Sequence, residues 1–528
     1  MRASLLLSIS LLLPASARAV PGKVLGDIPA PGPCPTGLAF DGEAFWVADR
    51  KQDKLLRVDR QGKTLKALDT PGFMPSGVAF DGKHLWVSDL EDGKIFRMDP
   101  ADGSVSRVLD SPTPKPAGLA WGKNGLWVVD EKESRLMRLD PEDGTVLQGF
   151  KAPSKASTGL AFDGRYLWVS DRKADLIHCV EPEHEAVVFS FKAPGPFSYG
   201  LAAAGGELWN ADYQRRKLYR LAADDGESFA ASEPKKERLE VTSFILNYGP
   251  SRLKELKAWL AVPEDRENQK LLSSVELTPS PKGFTQDRYG QRFAVYEFSD
   301  IEAPGRREIT LKADAALSEA KHYIFPHKVG KLADVPKEVK SLYLQDAVKF
   351  DLKNEFIQAK IKEAVGSETN PYWVARKLYD WLIAHMEYKL AGGWETAPQV
   401  LKRGHGSCSE YTFSYLALTR AAGIPSRYVG SYVVRNDDAS WDDVFHRWAE
   451  IYLPGYGWIP VDANAGDKDE PYEQAKAFGS IDNRFLITTA GGGDSETMDW
   501  GYNLRQEWTA AGRTKVRVED VAEWSPLP

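Results

Sequence analysis

Short apolar runs recur at a fixed interval over roughly the first 220 residues. Each unit opens with Gly, then Leu or Val, then Ala; a Trp follows nine residues after the Gly and an Asp three residues later. The glycines are Gly37, Gly77, Gly118, Gly159 and Gly200, the tryptophans Trp46, Trp86, Trp127, Trp168 and Trp209, and the aspartates Asp49, Asp89, Asp130, Asp171 and Asp212. Successive glycines are 40, 41, 41 and 41 residues apart. Each unit reads as four short strands, and four strands per ~40 residues is the period of a β-propeller blade.

The repeated residues are interpreted as structural. The tryptophans are expected in the core between blades, and the aspartates in turns, bonded to backbone amides. A shared ligand role for the aspartates is the alternative. Residues 23–29 resemble a fourth strand, while the last unit has only a weak one, so the N-terminal strand is expected to complete the last blade. Five blades are predicted, and a sixth, degenerate blade is the alternative.

The hydrophobic pattern changes twice after the repeats. We assign residues 20–225 to the propeller and 226–238, with mixed charge, Ser and Pro, to a linker. Alternating apolar and polar positions over 239–335 predict an immunoglobulin-like β-sandwich. Helical spacing then appears, and residues 336–500 are predicted as an α+β core, with a helix beginning near Cys408. Residues 501–528 are expected to form a C-terminal tail.

The N-terminus has the features of a secretory signal peptide. Arg2 precedes a short apolar run, and residues 17–19 read Ala-Arg-Ala, a signal-peptidase pattern. We predict a signal peptide over 1–19 and an exported chain, periplasmic or extracellular; a retained signal anchor is the alternative. No later stretch approaches ~20 apolar residues, so no transmembrane segment is expected in the mature chain.

Composition narrows the possible functions. With 42% hydrophobic and 27% charged residues the chain has the balance of a globular protein. The formal net charge of -7 argues against a nucleic-acid partner. Three cysteines, Cys34, Cys179 and Cys408, lack the spacing of a zinc site, and no acidic cluster has calcium-binding spacing. No metal and no cofactor are therefore predicted. Whether Cys34 and Cys179 form a disulfide stays open.

Three residues of the C-terminal segment suggest acyl-transfer chemistry. Cys408 is expected at a helix N-terminus, where the dipole and free amides favour a thiolate and could hold an oxyanion. His446 opens a predicted strand and could take the thiol proton and later donate it to a leaving group. Asp462 ends the next strand, where it could fix the histidine tautomer. Glu410 and His405, beside the cysteine, are interpreted as structural and background residues.

Four motifs in this segment carry a resemblance. They are Gly-Ser-Cys-Ser-Glu at 406–410, Arg-Ala-Ala-Gly-Ile-Pro-Ser-Arg at 420–427, His-Arg-Trp-Ala-Glu at 446–450 and Gly-Trp-Ile-Pro-Val-Asp at 457–462. Residues ~370 to 465 resemble the transglutaminase-like superfamily with its papain-like Cys-His-Asp core. The repeats resemble propellers of the NHL or YVTN type. The resemblance implies that Cys408 is the nucleophile, His446 the base and acid, and Asp462 the orienting residue. Trp394 and Gln399 lie where relatives place a further oxyanion donor, but neither spacing matches well.

The resemblance implies attack on a protein or peptide amide to form a thioester. Resolution by water would make the enzyme a peptidase or amidase, which we favour. Resolution by a lysine amine would make it a protein-glutamine gamma-glutamyltransferase. A non-enzymatic propeller-based binding protein with an inert core is the alternative of another class. The propeller is expected to bind the substrate or an envelope protein or glycan.

Overall fold

The computed structural model describes residues 19–224, 226–390, 395–434 and 445–528, with the backbone of 441–442. The predicted signal peptide, residues 1–19, lies outside this part except for Ala19, and Trp394 lies outside it as well.

The first described segment is a five-bladed β-propeller. Its strands are β1 (Val24–Pro29), β2 (Pro35–Phe40), β3 (Phe45–Asp49), β4 (Lys54–Val58), β5 (Thr64–Asp69), β6 (Pro75–Phe80), β7 (Leu85–Asp89), β8 (Lys94–Met98), β9 (Val105–Asp110), β10 (Pro116–Gly122), β11 (Gly125–Asp130), β12 (Arg135–Leu139), β13 (Val146–Lys151), β14 (Ser157–Phe162), β15 (Leu167–Asp171), β16 (Leu176–Glu181), β17 (Ala186–Lys192), β18 (Ser198–Ala204), β19 (Glu207–Asp212) and β20 (Lys217–Ala222). Four blades are the consecutive sheets β2–β5, β6–β9, β10–β13 and β14–β17. The fifth sheet has the order β1-β20-β19-β18. The first strand therefore completes the last blade, and the predicted ring of five is confirmed.

The repeated residues have the structural roles that their pattern predicts. All five repeat tryptophans are buried. Asp49 shows what the aspartates do: its Oδ2 accepts from the Cys34 amide at 2.7 Å, and its Oδ1 accepts from the amides of Lys51 and Gln52. A carboxylate that holds three amides fixes the turn after its strand.

A β-sandwich follows the ring. The strands of this segment are β21 (Phe229–Ala231), β22 (Lys235–Pro250), β23 (Leu253–Ala261), β24 (Gln269–Leu271), β25 (Glu276–Thr278), β26 (Gly283–Gln286), β27 (Arg292–Ile301), β28 (Gly305–Leu317) and β29 (Ala320–His322). β21 and β29 pair with each other in a separate small sheet, and the other strands belong to the two sheets of the sandwich. Alternate residues of β22, such as Leu239 and Val241, point into the core that the two sheets share with Leu256 and Leu260 of β23. The period-two pattern of the sequence thus places one face of each sheet inside.

The remaining elements build the α+β core and return to the sandwich. They are α1 (Lys337–Tyr343), α2 (Glu355–Val365), α3 (Pro371–His385), β30 (Glu387–Tyr388), α4 (Ala397–Arg403), β31 (His405–Gly406), α5 (Cys408–Ala421), β32 (Ser426–Val433), β33 (Trp441–Asp442), β34 (His446–Leu453), β35 (Gly457–Val461), α6 (Pro471–Lys476), β36 (Ser480–Ile481), β37 (Phe485–Gly491), β38 (Leu504–Ala510) and β39 (Thr514–Pro526), with 3-10 turns at Pro326–Lys328 and Leu332–Asp334. The central antiparallel sheet has the order β35-β34-β32-β37, and α5 packs against β34 and β32.

Two segments differ from the sequence-based expectation. Residues 501–528, expected as a tail, contain β38 and β39, which pair with β23 and β22 of the sandwich. Residues 226–238, expected as a linker, contain β21 and the start of β22. The physical reason is burial at long range, because Ala522 and Trp524 of β39 fill the sandwich core against residues almost 300 positions earlier.

The propeller packs against the core through its fourth blade. The outer strand β17 contacts α6, and Phe189 lies edge-on to Tyr323 and Phe325, with ring centroids 5.2 and 5.1 Å apart. Arg376 of α3 donates to the Val187 carbonyl at 3.0 Å. His184, between β16 and β17, stacks on Trp373 at 3.8 Å. The ring is therefore joined to the core by a packed apolar and hydrogen-bonded interface.

Candidate active site

Cys408 is the first residue of α5. Ser407 is the N-cap, and its hydroxyl accepts from the Ser409 amide at 3.3 Å. Glu410 closes a capping box, because its carboxylate accepts from the Ser407 amide at 2.9 Å and from the Ser407 hydroxyl at 2.6 Å. Glu410 is thus structural, as interpreted from the sequence. The thiol sits where the positive end of the helix dipole stabilises an anion.

His446 and Asp462 meet across adjacent strands. His446 is the first residue of β34, and Asp462 directly follows β35. The strands β34 and β35 are hydrogen-bonded neighbours in the sheet. The Asp462 Oδ2 lies 2.6 Å from the His446 Nε2. The Asp462 Oδ1 accepts from the Ala465 amide at 3.0 Å, and the Asp462 amide donates to the Ala477 carbonyl at 2.9 Å. The side chain and the backbone of Asp462 are thus each held by a hydrogen bond, and the carboxylate fixes the imidazole, whose Nδ1 is left for the thiol.

The thiol and the imidazole form a coupled, charged pair. Burial acts to raise the pKa of the Cys408 thiol, but the hydrogen bond and charge of His446 and the charge of Arg447 hold that pKa below its usual value. Burial acts to lower the pKa of His446, yet the charge and hydrogen bond of Asp462, together with Cys408, raise it to about 10. Both shifts favour the thiolate–imidazolium form of the pair over the neutral form. The structure brings the three predicted side chains together; their catalytic roles remain predictions.

Arg447 is a residue to which the sequence analysis assigned no role. It is fully buried, and its Nη2 donates to the Trp500 carbonyl at 2.8 Å. Its guanidinium lies 4.2 Å from the Tyr502 ring centroid and 4.8 Å from that of Phe413. A buried cation between π-faces contributes positive potential at the thiol. The signal in the sequence was its position directly after His446.

Aromatic side chains flank the imidazole. The His446 ring stacks with Trp448 at 5.9 Å and with Phe485 at 5.6 Å. A cavity of about 310 Å³ lies beside them, lined by Trp448, Phe485 and Asp462. Trp458 lines a second cavity of about 470 Å³ and stacks under Arg427. Trp448 and Trp458 thus each form part of the wall of a cavity.

The other residues considered from the sequence have different places. The Gln399 Oε1 accepts from the Thr396 amide and hydroxyl and caps α4, so Gln399 is part of a capping box. The Cys408 amide makes no hydrogen bond within the described part of the chain, which leaves it for an oxyanion. All three cysteines are free thiols, so Cys34 and Cys179 are not bonded to each other.

Within the described residues no helix has the length and apolar character to cross a membrane. The same residues contain no group of three or more His, Cys, Asp or Glu side chains that could hold a metal ion.

Comparison with protein families places the site in a known framework. Residues 358–463 match the family model of the transglutaminase-like superfamily. The C-terminal half contains a transglutaminase-like core. Residues 121–280, from the end of β10 through β25, match the model described as outer membrane protein assembly factor BamB. The transglutaminase-like core holds Cys408, His446 and Asp462 within the matched segment.

Individual relatives are distant. An uncharacterized protein of Haemophilus influenzae is 29% identical over 155 residues, 24% of this chain and 42% of the relative, so less than half of that protein is matched. Among solved structures, a protein from Cytophaga hutchinsonii described as a candidate cysteine protease is 16% identical with a TM-score of 0.41, over 57% of this chain and 100% of its own. Glutaminyl cyclase of Myxococcus xanthus is 15% identical with a TM-score of 0.35, over 38% and 95%.

Proposed function

We propose that the protein is an exported cysteine enzyme that cleaves protein or peptide amide bonds through a thioester, as a peptidase or amidase. The single observation that carries the proposal is the 2.6 Å contact between the Asp462 Oδ2 and the His446 Nε2, in a histidine that lowers the pKa of the Cys408 thiol at the N-terminus of α5. A nucleophile, a base and an orienting carboxylate in contact are the arrangement that acyl transfer requires.

Acylation uses the thiolate and the imidazolium together. The Cys408 Sγ attacks the amide carbonyl carbon, a C–S bond forms, and the carbonyl π electrons move to oxygen. The free Cys408 amide at the N-terminus of α5 stabilises that oxyanion. On collapse the C–N bond breaks and His446 donates its proton to the leaving nitrogen. The products are an amine and a thioester of Cys408.

Deacylation returns the enzyme to its starting form. Neutral His446 takes a proton from water as the water oxygen attacks the thioester carbonyl. The C–S bond then breaks, a carboxylic acid leaves, and the thiolate faces the imidazolium again. A primary amine in place of water would give a new amide, which is the cross-linking alternative. Asp462 stabilises the imidazolium in both half-reactions.

The propeller is proposed as the module that binds the substrate or an envelope partner. The packed contact between β17 and α6 supports a fixed relation between the ring and the core. A site on the ring would then hold a bound protein at a defined place relative to Cys408.

The test measures product class directly. The secreted full-length protein is incubated with casein, and new α-amino groups, released ammonia and incorporation of dansylcadaverine are followed in parallel. We expect new amino groups or ammonia without amine incorporation, and loss of both with Cys408→Ala. Amine incorporation that dominates over hydrolysis would overturn the hydrolase assignment in favour of cross-linking.

A chemical readout keeps the test independent of the chosen substrate. A peptide-amide electrophile directed at cysteine should form a covalent adduct on Cys408 in the wild type and none in Cys408→Ala. Cys179→Ala is the matched control and should label as the wild type does. An unlabelled Cys408 would sink the enzymatic proposal.

A further inference from the structure

Four of the five blades carry an arginine opposite the repeat tryptophan. In blade one the Asp41 Oδ2 accepts from the Trp46 Nε1 at 3.0 Å and from the Arg57 Nε at 2.7 Å. Strand register puts Arg57 opposite Trp46, and the arginines of blades two, three and five take the same position. These are Arg97, Arg138 and Arg220. Of these arginines, Arg57 is the one that a side-chain hydrogen bond and an ion pair join to the turn carboxylate of its own blade.

Blade four keeps the carboxylate but not the guanidinium. Cys179 stands opposite Trp168. The Asp163 Oδ2 still accepts from the Trp168 Nε1 at 2.8 Å, and its Oδ1 from the amides of Arg165 and Tyr166. Within the described residues no cation pairs with this carboxylate. Asp163 is exposed, so a charged group from outside can reach it.

A cavity opens at this place. It measures about 330 Å³ and is lined by Phe162, Asp163 and Trp168 of blade four and by the Gly205–Gly206 turn of blade five. The repeat position held by Phe40, Phe80, Trp121 and Phe162 is Ala203 in blade five. Because no large side chain stands there, the space stays open, and the exposed glycine turn connects it to solvent. Its volume is at the lower end for small-ligand sites.

The charges around the cavity favour a cation. Two further carboxylates line it, Glu207 and Asp224. Lys328 bonds Asp224 at 2.5 Å, and Arg220 lies 3.8 Å from Glu207, so each of these has a cation nearby. Asp163 has none among the described side chains. A carboxylate in a cavity lined by the aromatic residues Phe162 and Trp168 suits a planar guanidinium better than a compact, strongly hydrated ammonium.

We propose that the cavity between blades four and five binds an arginine side chain of a protein or peptide partner, whose guanidinium pairs with the Asp163 carboxylate. If the partner is the substrate, this deepens the proposed function by making arginine-bearing proteins the substrate class. The binding itself needs no turnover by Cys408, so the two proposals can fail separately.

The test is a ligand-observed NMR titration of the full-length protein carrying Cys408→Ala. The probe is Nα-acetyl-arginine amide, and Nα-acetyl-citrulline amide is the uncharged control of the same shape. We expect saturable binding of the arginine probe in the millimolar range and at least tenfold weaker binding of citrulline. Equal binding of the two, or no saturable binding of the arginine probe, would overturn the proposal.

Two variants locate the site. Asp163→Asn removes the charge, and Ala203→Phe restores the aromatic residue of the other blades and fills the cavity. Each should weaken the arginine probe at least tenfold. Asp41→Asn makes the matched change in blade one and should leave the affinity unchanged. If the probe binds Ala203→Phe as tightly as the parent, the cavity is not the site. A circular dichroism melt of each variant establishes that the compared proteins are folded.

Discussion

Cys179 in the fourth blade and Cys408 in the core are two thiols with opposite electrostatic surroundings. Cys179 is fully buried among apolar neighbours, and burial together with the carboxylates of Asp163, Glu181 and Asp224 raises the pKa of its thiol well above the usual value. Burial also opposes ionisation of Cys408, yet the pKa of that thiol is lowered, because His446 and Arg447 are cations beside it.

Burial disfavours the thiolate at both sites, and the neighbouring charges decide the direction of the pKa shift. Burial raises the pKa of the Cys34 thiol as well, even though Arg50 lies nearby. What distinguishes Cys408 is an imidazolium made stable by Asp462 and a helix N-terminus that points at the sulfur. Reactivity is thus a property of the neighbours rather than of the cysteine.

The most direct test of the contrast between the two thiols is to remove each thiol in turn. Cys408→Ala should lower amide turnover by ~10³-fold or more, because the thioester can no longer form. Cys179→Ala should leave kcat/KM within about twofold. Turnover of a fluorogenic peptide amide by both variants measures this. Comparable losses in the two would mean that the chemistry does not depend on Cys408.

The second largest effect is expected from Asp462, whose carboxylate supports the imidazolium beside Cys408. Asp462→Asn should lower kcat by ~10²- to 10⁴-fold, since the imidazolium loses its partner. Without the Asp462 charge the pKa of His446 falls from about 10, and the pKa of the Cys408 thiol consequently rises. The pH profile of Cys408 alkylation should therefore move to higher pH. An unchanged profile would show that Asp462 does not support the pair.

A smaller difference between Cys408 and Cys179 is expected in their rates of alkylation. With iodoacetamide at pH 7, the native protein should modify Cys408 at least ~10²-fold faster than Cys179, which is neither ionised nor accessible. Peptide mass mapping over time gives both rates from one sample. In guanidinium chloride the two rates should converge, because the folded surroundings are gone. A ratio that persists after unfolding would contradict this explanation.

The smallest effect is on stability. Cys179→Ala removes a buried sulfur and should lower the free energy of unfolding by about 1 kcal/mol. Ser407→Ala removes the cap of α5 and should cost a similar ~1 kcal/mol, and it should also slow Cys408 alkylation, which Cys179→Ala should not do. Denaturant unfolding and alkylation rates on both variants test the distinction.

Local sequence patterns predicted the elements that depend on near neighbours. The 40- and 41-residue spacing of the repeats predicts the blades. The motif around Cys408 predicts a helix, and α5 does begin at that residue. The strand that the sequence predicts to open at His446 is β34, which does begin at that residue. Periodicity and turn residues are written into consecutive positions, so these elements are readable without the fold.

What could not be predicted depends on distant contacts. Nothing near Ala522 and Trp524 shows that their strand completes a sheet begun by β22, so 501–528 looked like a tail. The buried place of Arg447 depends on aromatic rings from three separate elements. Residues 187–189 of β17 are apolar and buried, whereas the outer strand β5 of blade one is mostly exposed. This apolar run indicates that the outer face of blade four is covered, but it does not show that the α+β core covers it.

The pairing of both ends of the described chain with distant strands has a consequence for biogenesis. β1 precedes its partner β20 by almost the whole ring, and β22 is synthesised long before its partner β39. The sandwich sheet cannot be completed until β39 has left the ribosome. A nascent chain that stalls before β39 would therefore carry a complete propeller beside a sandwich sheet with an unpaired β22 edge. We expect quality-control proteases to degrade such a chain.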